Sequence, residues 1–387
     1  ILMIGWQKRR GIDKRRVKPS IEIKGVENNA YYNVDKPVSI AIRDVNLDIN
    51  KATVTRNGAG YGIGGFSVKN GVASLSHNFS KEGEYSILVE ATDKAGNSFS
   101  STMKFTIDKT KPVITPKFKG ENRVIENGEY INRVFTPEFA LDEGEDMIVT
   151  ATLNNGPNLG RNIPVAAREM KYRYKVLARD KAGNESTLEI SFTLDTTKPK
   201  LDISGVLDGY FNKDITPKVK YSDIHLDTSK TSVTLNGKAF ENGTKLEYER
   251  DYILKAVVTD LADNVTTRTI VFTIDKTSPV IKFKEPISNN YFKTDLLPQL
   301  LIEDMSAYDI IAMMLDGKPY EAGDPIKEEG KHVMFFEVKD KAGNIQQLSV
   351  EFIIDKTAPK VVVEGVKEKE KYYDPVEVSI RLDNPDR

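Results

Sequence analysis

Apolar and polar side chains alternate along this chain in short runs, and the period is two. Residues 86–92 read Ser-Ile-Leu-Val-Glu-Ala-Thr, and comparable runs follow at 173–179, 253–259 and 333–339. Runs of this length, rich in β-branched and aromatic residues, predict half-buried strands. Turn signals punctuate them. Asn57-Gly58, Asn155-Gly156, Asn236-Gly237 and Asp316-Gly317 predict two-residue hairpins. A second hairpin is expected at the Lys-Ala-Gly-Asn steps that end at Asn97, Asn184 and Asn344, with Gly and Asn taking positive φ. An aromatic cluster followed by a proline (Tyr32 to Pro37, Tyr130 to Pro137, Tyr210 to Pro217, Tyr291 to Pro298) marks the start of a further strand. Proline is tolerated at a strand's first residue but not in its middle.

The pattern also recurs as a whole. Residues 85–112, 172–199, 252–279 and 332–359 are four copies of one stretch. In each, fifteen positions separate a turn aspartate (Asp93, Asp180, Asp260, Asp340) from a linker aspartate (Asp108, Asp195, Asp275, Asp355). Successive turn aspartates lie 87, 80 and 80 residues apart, a period that predicts tandem copies of one small domain. The linker prolines divide the chain into units at 19–111, 112–198, 199–278 and 279–358, with 359–387 opening a further unit. Residues 1–18 are the end of a preceding unit or a linker. Within them Ile1 to Arg10 has two readings, a last strand or the hydrophobic-then-basic edge of a membrane anchor.

Each unit holds about seven strands with turn signals every eight to twelve residues. That predicts an all-β fold of tandem immunoglobulin-like β-sandwiches arranged end to end. Tyr85, Tyr172 and Tyr252 each lie eight residues before the turn aspartate, where such a sandwich places its tyrosine corner. His332 stands there in the fourth unit.

Composition narrows the function. A formal net charge of −1, from 56 basic and 57 acidic residues, argues against a nucleic-acid partner. The basic side chains Lys8, Arg9, Arg10, Lys14, Arg15, Arg16 and Lys18 crowd the first twenty residues. There is no cysteine, hence no disulfide, no thiolate metal site and no cysteine nucleophile. No stretch reaches the length of a membrane-spanning helix. The chain starts at Ile1 and reads as a piece of a longer protein.

No catalytic constellation emerges. His77, His225 and His332 fall at unrelated places in different units, and a general base or metal ligand needs partners within hydrogen-bond reach. The run from Gly58 to Gly65 lacks the Gly-Lys-Ser/Thr ending of a phosphate loop and reads as a flexible insertion or a partner-binding loop. With Trp6 the only tryptophan and the tyrosine pairs at one repeated position, packing is favoured over glycan stacking.

The Asp-x-Ala-Gly-Asn turn followed by Thr-Ile-Asp-Lys-Thr-x-Pro resembles the bacterial immunoglobulin-like repeats of large cell-surface and secreted proteins. The resemblance covers nearly the whole chain. It implies an extracellular segment, at the bacterial cell surface or secreted, without naming a ligand. The reading is a non-catalytic stalk that presents a terminal module, a monomeric rod whose partner is an unknown protein or glycan. Two alternatives stand beside it: an adhesin module binding through loops, foremost those of the first unit, and an accessory region of a large exported hydrolase.

Acidic residues are the best candidates for chemistry. In a seven-strand sandwich the loops after the second and sixth strands lie beside the linker from the preceding unit. Three sets of carboxylates are thereby expected at the joints: Asp108, Asp142 and Asp180; Asp195, Asp223 and Asp260; Asp275, Asp304 and Asp340. Ca²⁺ favours such clusters of oxygen ligands, and the resemblance, to repeats with calcium between domains, adds to this reading. The competing reading is plain turn chemistry, because Asp and Asn bond nearby backbone and lysines adjoin most of these positions. On either reading no cofactor is required for folding.

Overall fold

The computed structural model describes residues 17–60, 65–142 and 147–383. The reading of Ile1 to Arg10 lies outside the described residues, as do residues 61–64 of the glycine-rich insertion. Strands dominate, and the helix among the described residues is a single 3₁₀ turn at Ile49–Lys51. The chain forms two compact units, 1–197 and 198–387, and each contains two hydrophobic cores.

In the first unit, the first sandwich has nine strands: β1 (Ser20–Lys24), β2 (Ala30–Tyr32), β3 (Lys36–Arg43), β4 (Thr53–Arg56), β5 (Ala59–Gly60), β6 (Ser67–Lys69), β7 (Val72–Phe79), β8 (Gly83–Thr92) and β9 (Ser98–Ile107). They form two sheets, β1-β3-β7-β6 and β2-β9-β8-β4-β5. The inward residues Val38, Ile40, Ile42, Ile87, Val89 and Phe105 alternate with exposed ones and close the core. The second sandwich has β10 (Ile114–Phe118), β11 (Glu129–Ile131), β12 (Pro137–Leu141), β13 (Met147–Leu153), β14 (Met170–Arg179) and β15 (Glu185–Leu194), in sheets β10-β12 and β11-β15-β14-β13.

In the second unit, the third sandwich has β16 (Lys200–Ser204), β17 (Gly209–Phe211), β18 (Lys218–Ser222), β19 (Ser232–Leu235), β20 (Lys238–Ala239), β21 (Arg250–Thr259) and β22 (Val265–Ile274). The fourth has β23 (Val280–Phe283), β24 (Tyr291–Phe292), β25 (Leu300–Glu303), β26 (Tyr308–Leu315), β27 (Lys318–Pro319), β28 (Gly330–Asp340) and β29 (Ile345–Ile354). Both pair a two-stranded sheet, β16-β18 or β23-β25, with a five-stranded one, β17-β22-β21-β19-β20 or β24-β29-β28-β26-β27. Beyond them β30 (Lys360–Glu364) and β31 (Ser379–Asp383) form an antiparallel pair.

The tyrosine corners are present. Tyr85, Tyr172 and Tyr252 donate their hydroxyls to the carbonyls of Lys81, Arg168 and Tyr248, at 2.6, 3.0 and 2.9 Å. Each ring stacks on the phenylalanine paired with it across the strands, Phe105, Phe192 or Phe272. His332 takes the corner of the fourth sandwich, with Nε2 2.9 Å from the Glu328 carbonyl.

Two turn expectations need correction. In the second sandwich the hairpin sits one residue earlier, on Asn154 and Asn155, whose φ values are 52° and 59°. The reason is that Asn154 accepts the Arg173 amide through its side chain at 2.9 Å, the bond Asn57 and Asn236 make with Ser86 and Ile253. In the Asp-x-Ala-Gly-Asn turns only the glycine has positive φ: Gly96, Gly183 and Gly343 at 87°, 92° and 98°. The asparagine is instead spent on its aspartate. The Asn344 amide and Nδ2 donate to Asp340 Oδ1 and Oδ2 at 2.8 and 2.6 Å, and Asn97, Asn184 and Asn264 do the same with their partners.

Candidate metal centre

Within each compact unit, one linker meets the turn of the sandwich that follows. In the first unit the Asp108 amide bonds the Tyr32 carbonyl at 2.9 Å, which ties the linker to the first sandwich. Asn184, already fixed by Asp180, donates Nδ2 to the Asp108 carbonyl at 2.9 Å and ties it to the second. Lys181 from the same turn lies over the Tyr31 ring, 5.2 Å from its centroid. The second unit repeats the clamp. The Asp275 amide bonds the Phe211 carbonyl at 3.0 Å, and Asn344 Nδ2 donates to the carbonyls of Asp275 and Thr277 at 2.8 and 3.2 Å. One asparagine side chain thus braces its own turn and grips the linker.

The two joints differ in their carboxylates. Ligand oxygens of Asp275, Asp304 and Asp340 all lie within 4.8 Å of one another. Asp275 and Asp340 are buried and Asp304 half-buried. Asp340 accepts three hydrogen bonds from Gly343 and Asn344 and keeps acceptor capacity, whereas Asp275 Oδ2, Asp304 Oδ2 and the nearby Ser306 Oγ are buried with no hydrogen-bond partner. Buried polar atoms in native proteins are paired in the great majority, so three orphans beside three carboxylates need a reason. Burial raises the Asp304 carboxyl above its ordinary value despite the Ser306 amide, and the Asp275 and Asp340 charges push it further up.

At the first joint no such group forms among the described residues. Asp108 Oδ1 accepts the Thr110 amide at 3.0 Å, Asp142 Oδ1 accepts the Val113 amide at 2.7 Å, and Asp180 is held by Asn184. Strand register explains the contrast. Ile114 pairs with Leu141, so Asp142 falls opposite Val113, which has an N–H to give. Val280 pairs with Glu303, so Asp304 falls opposite Pro279, which has none. By register the counterpart of Asp304 in the first sandwich is Asp44, opposite Pro19.

The middle set is divided between the units. Asp195 belongs to the first, where its amide bonds the Ile131 carbonyl and Oδ1 accepts the Thr197 amide at 3.2 Å. Asp223 and Asp260 belong to the second. Asp223 Oδ1 accepts the His225 amide at 2.7 Å, and Asp260 holds Asn264. Sequence reasoning missed Ser306 and the asparagine clamp. The asparagine had a signal, since it ends the turn in all four copies as Asn97, Asn184, Asn264 and Asn344. Ser306 had none.

Residues 22–109, the first sandwich, match a family model described as a bacterial Ig-like domain, and residues 323–356 of the fourth match a second model of the same description. These two sandwiches are bacterial Ig-like domains. Solved structures with similar folds include a four-domain ectodomain fragment of ICAM-5, at 9% identity over 87% of this chain and 99% of that one, with a TM-score of 0.45. A tetra-tandem repeat from the extending region of a large adhesion protein aligns at 15% identity over 88% and 100%, with a TM-score of 0.30. The human desmocollin-1 ectodomain aligns at 12% identity over 94% and 86%, with a TM-score of 0.29. No curated protein matches the chain.

Proposed function

We propose that this array of bacterial Ig-like domains is a non-catalytic, extracellular spacer that holds a terminal module away from its attachment point, and that Ca²⁺ at Asp275, Asp304 and Asp340 stiffens the joint between the third and fourth domains. The observation that carries the reading is the joint itself. A linker gripped by Asn344 and restricted by Pro279 has little freedom to bend, and resistance to bending is what a spacer needs. The donor set suits a hard cation: carboxylate oxygens, two of them orphaned, and a free serine hydroxyl, with no nitrogen or sulfur ligand among them. A bound cation would neutralise the mutual repulsion that raises Asp304. The alternative in which the first domain is itself adhesive draws on its departure from the repeat, the added strands β6 and β7.

The test uses the absence of native cysteine. Spin labels at Lys238→Cys and Lys318→Cys, exposed sites on the third and fourth domains, report the distance across this joint. A distribution that is narrow in 1 mM Ca²⁺ and broad in chelator is expected, with Asp304→Asn broad in both. Distributions that are broad in all conditions would remove the spacer reading. Distributions that are narrow and indifferent to Ca²⁺ would remove the ion alone.

A further inference from the structure

The fourth domain leaves a strand edge open that two other domains close by different means. In the first, β7 runs antiparallel along the whole outer edge of β3, from Lys36 opposite Phe79 to Arg43 opposite Val72. In the third, no strand among the described residues lies on the outer edge of β18, but a side chain takes the place of one. Asn242 Oδ1 accepts the Val219 amide at 2.7 Å and Nδ2 donates to the Val219 carbonyl at 3.0 Å, as a neighbouring strand's peptide group would. The Gly243 amide adds a bond to the Pro217 carbonyl at 3.2 Å.

The fourth domain has lost this cap. Phe240-Glu241-Asn242-Gly243 becomes Tyr320-Glu321-Ala322-Gly323, and alanine has no group to offer. Leu300 stands where Val219 stands, each paired with the fourth residue after the linker proline, Phe283 or Ile203. Among the described residues no strand lies on the outer edge of β25. Beside that edge an apolar groove of about 230 Å³ opens between β25 and β26, lined by Leu300, Ile302, Tyr308, Ile310, Met313 and Phe336. Ile310 is 45% exposed and Tyr308 39% exposed.

We propose that the fourth domain binds an extended segment of a partner protein, which adds to β25 as an antiparallel strand and seats apolar side chains from alternate positions in this groove. The chain itself supplies the template for that occupant. On β7, Ala73 and Phe79 are buried while Ser74, Ser76 and Asn78 face out, the period-two pattern a guest strand must share. Main-chain bonds to Leu300 give affinity, and the groove reads the side chains. Exposed edges are usually blunted, and the cap by Asn242 shows how this repeat does so. This activity goes beyond spacing and would make the fourth domain a docking point along the array.

The probe is a fluorescent peptide of this chain's own β7 sequence, Val-Ala-Ser-Leu-Ser-His-Asn-Phe, titrated onto the full chain. Saturable binding is expected, weakened at least tenfold by Ala322→Asn, which restores the cap of the third domain. Asn242→Ala is expected to open a second site. In the wild type, bound peptide should slow hydrogen exchange at the Leu300 amide at least tenfold, a readout independent of any variant. The proposal is overturned if the peptide fails to bind at 1 mM, if Ala322→Asn leaves its affinity unchanged, or if Leu300 exchange is unaffected. It is likewise overturned if sedimentation shows a dimer of this chain that Ala322→Asn dissolves, since a second copy would then own the edge.

Discussion

The first and third joints use the same turn, the same asparagine clamp and the same linker aspartate, yet only the third gathers free carboxylates. One residue of strand register separates them. Opposite Val113 an aspartate is consumed by a backbone amide; opposite Pro279 it is left over. The difference shows that an acidic residue near a joint keeps a buried oxygen unpaired where the facing strand has no N–H to give. A proline in the facing position is therefore as much a part of the candidate site as the carboxylates themselves.

The strongest test addresses what the joints share. Asp180→Ala and Asp340→Ala each strip a buried turn of several bonds, including charge-assisted ones. Each change should cost its own domain about 2 to 3 kcal/mol, alike at the two joints, read by hydrogen exchange at Asn184 and Asn344. Unequal losses would mean that the two frameworks differ in more than register.

Calcium should then separate them. Extracellular sites have dissociation constants of about 0.1 to 1 mM, so 1 mM Ca²⁺ should stabilise the third joint by about 0.4 to 1.4 kcal/mol. Asp275→Asn should abolish the gain, and Asp108→Asn should change nothing. Calorimetry without a heat at the third joint, or with an equal heat lost in Asp108→Asn, breaks the comparison.

Acidity offers a comparable test without metal. The Asp304 carboxyl is raised by burial and by its acidic neighbours, so its ionised form costs stability at neutral pH. That cost is relieved as pH falls through the raised value. In chelator, mild acid should therefore raise the melting temperature of the fourth domain relative to the second, and Asp304→Asn should mimic acid at pH 7. His332 must be read separately, since it titrates with the opposite consequence. Burial alone would lower it, but the Asp316 carboxylate, 2.8 Å from Nδ1, and the Glu328 carbonyl raise it above the ordinary histidine value. Both partners are acceptors, so only the protonated ring makes both bonds at once. The stability this gives the fourth domain is complete below the ordinary histidine value and is lost as pH rises through the raised one. The double change Asp316→Asn with His332→Tyr, which copies the third domain, should remove that alkaline loss. Thermal melts across pH check both signs.

The smallest effect concerns the facing proline. Pro279→Ala supplies an N–H opposite Asp304, and calcium affinity should fall a few-fold as the carboxylate is partly diverted. The reciprocal Val113→Pro should release Asp142 Oδ1, which the Val113 amide now holds. A Pro279→Ala joint that binds calcium as before would show that the register argument is incomplete.

Much of this was legible beforehand because it is local. Period-two runs, hairpin residues and the spacing of Tyr85, Tyr172 and Tyr252 depend on a few neighbouring residues, and strands and corners formed where those signals stood. Asn154 was misplaced by one position for the converse reason. Its role comes from Arg173, nineteen residues on, and not from the glycine that follows. The closing of the first domain by β7 escaped notice because Val72–Phe79 could pair with either sheet until β3 was in place.

What the sequence determined alone is the repeat, its all-β character, its corners and the rough positions of its acidic residues. Each follows from backbone geometry that a short stretch imposes on itself. Only the tertiary structure decided which carboxylates meet, because that turns on whether residue 142 or 304 lands opposite an amide or a proline in another strand. It alone decided which edge stays open, since Asn242 and Ala322 differ only in whether they reach the backbone of a strand some twenty residues earlier. A side chain's identity is local; the group it faces is set by register, and register is a property of the packed sheets.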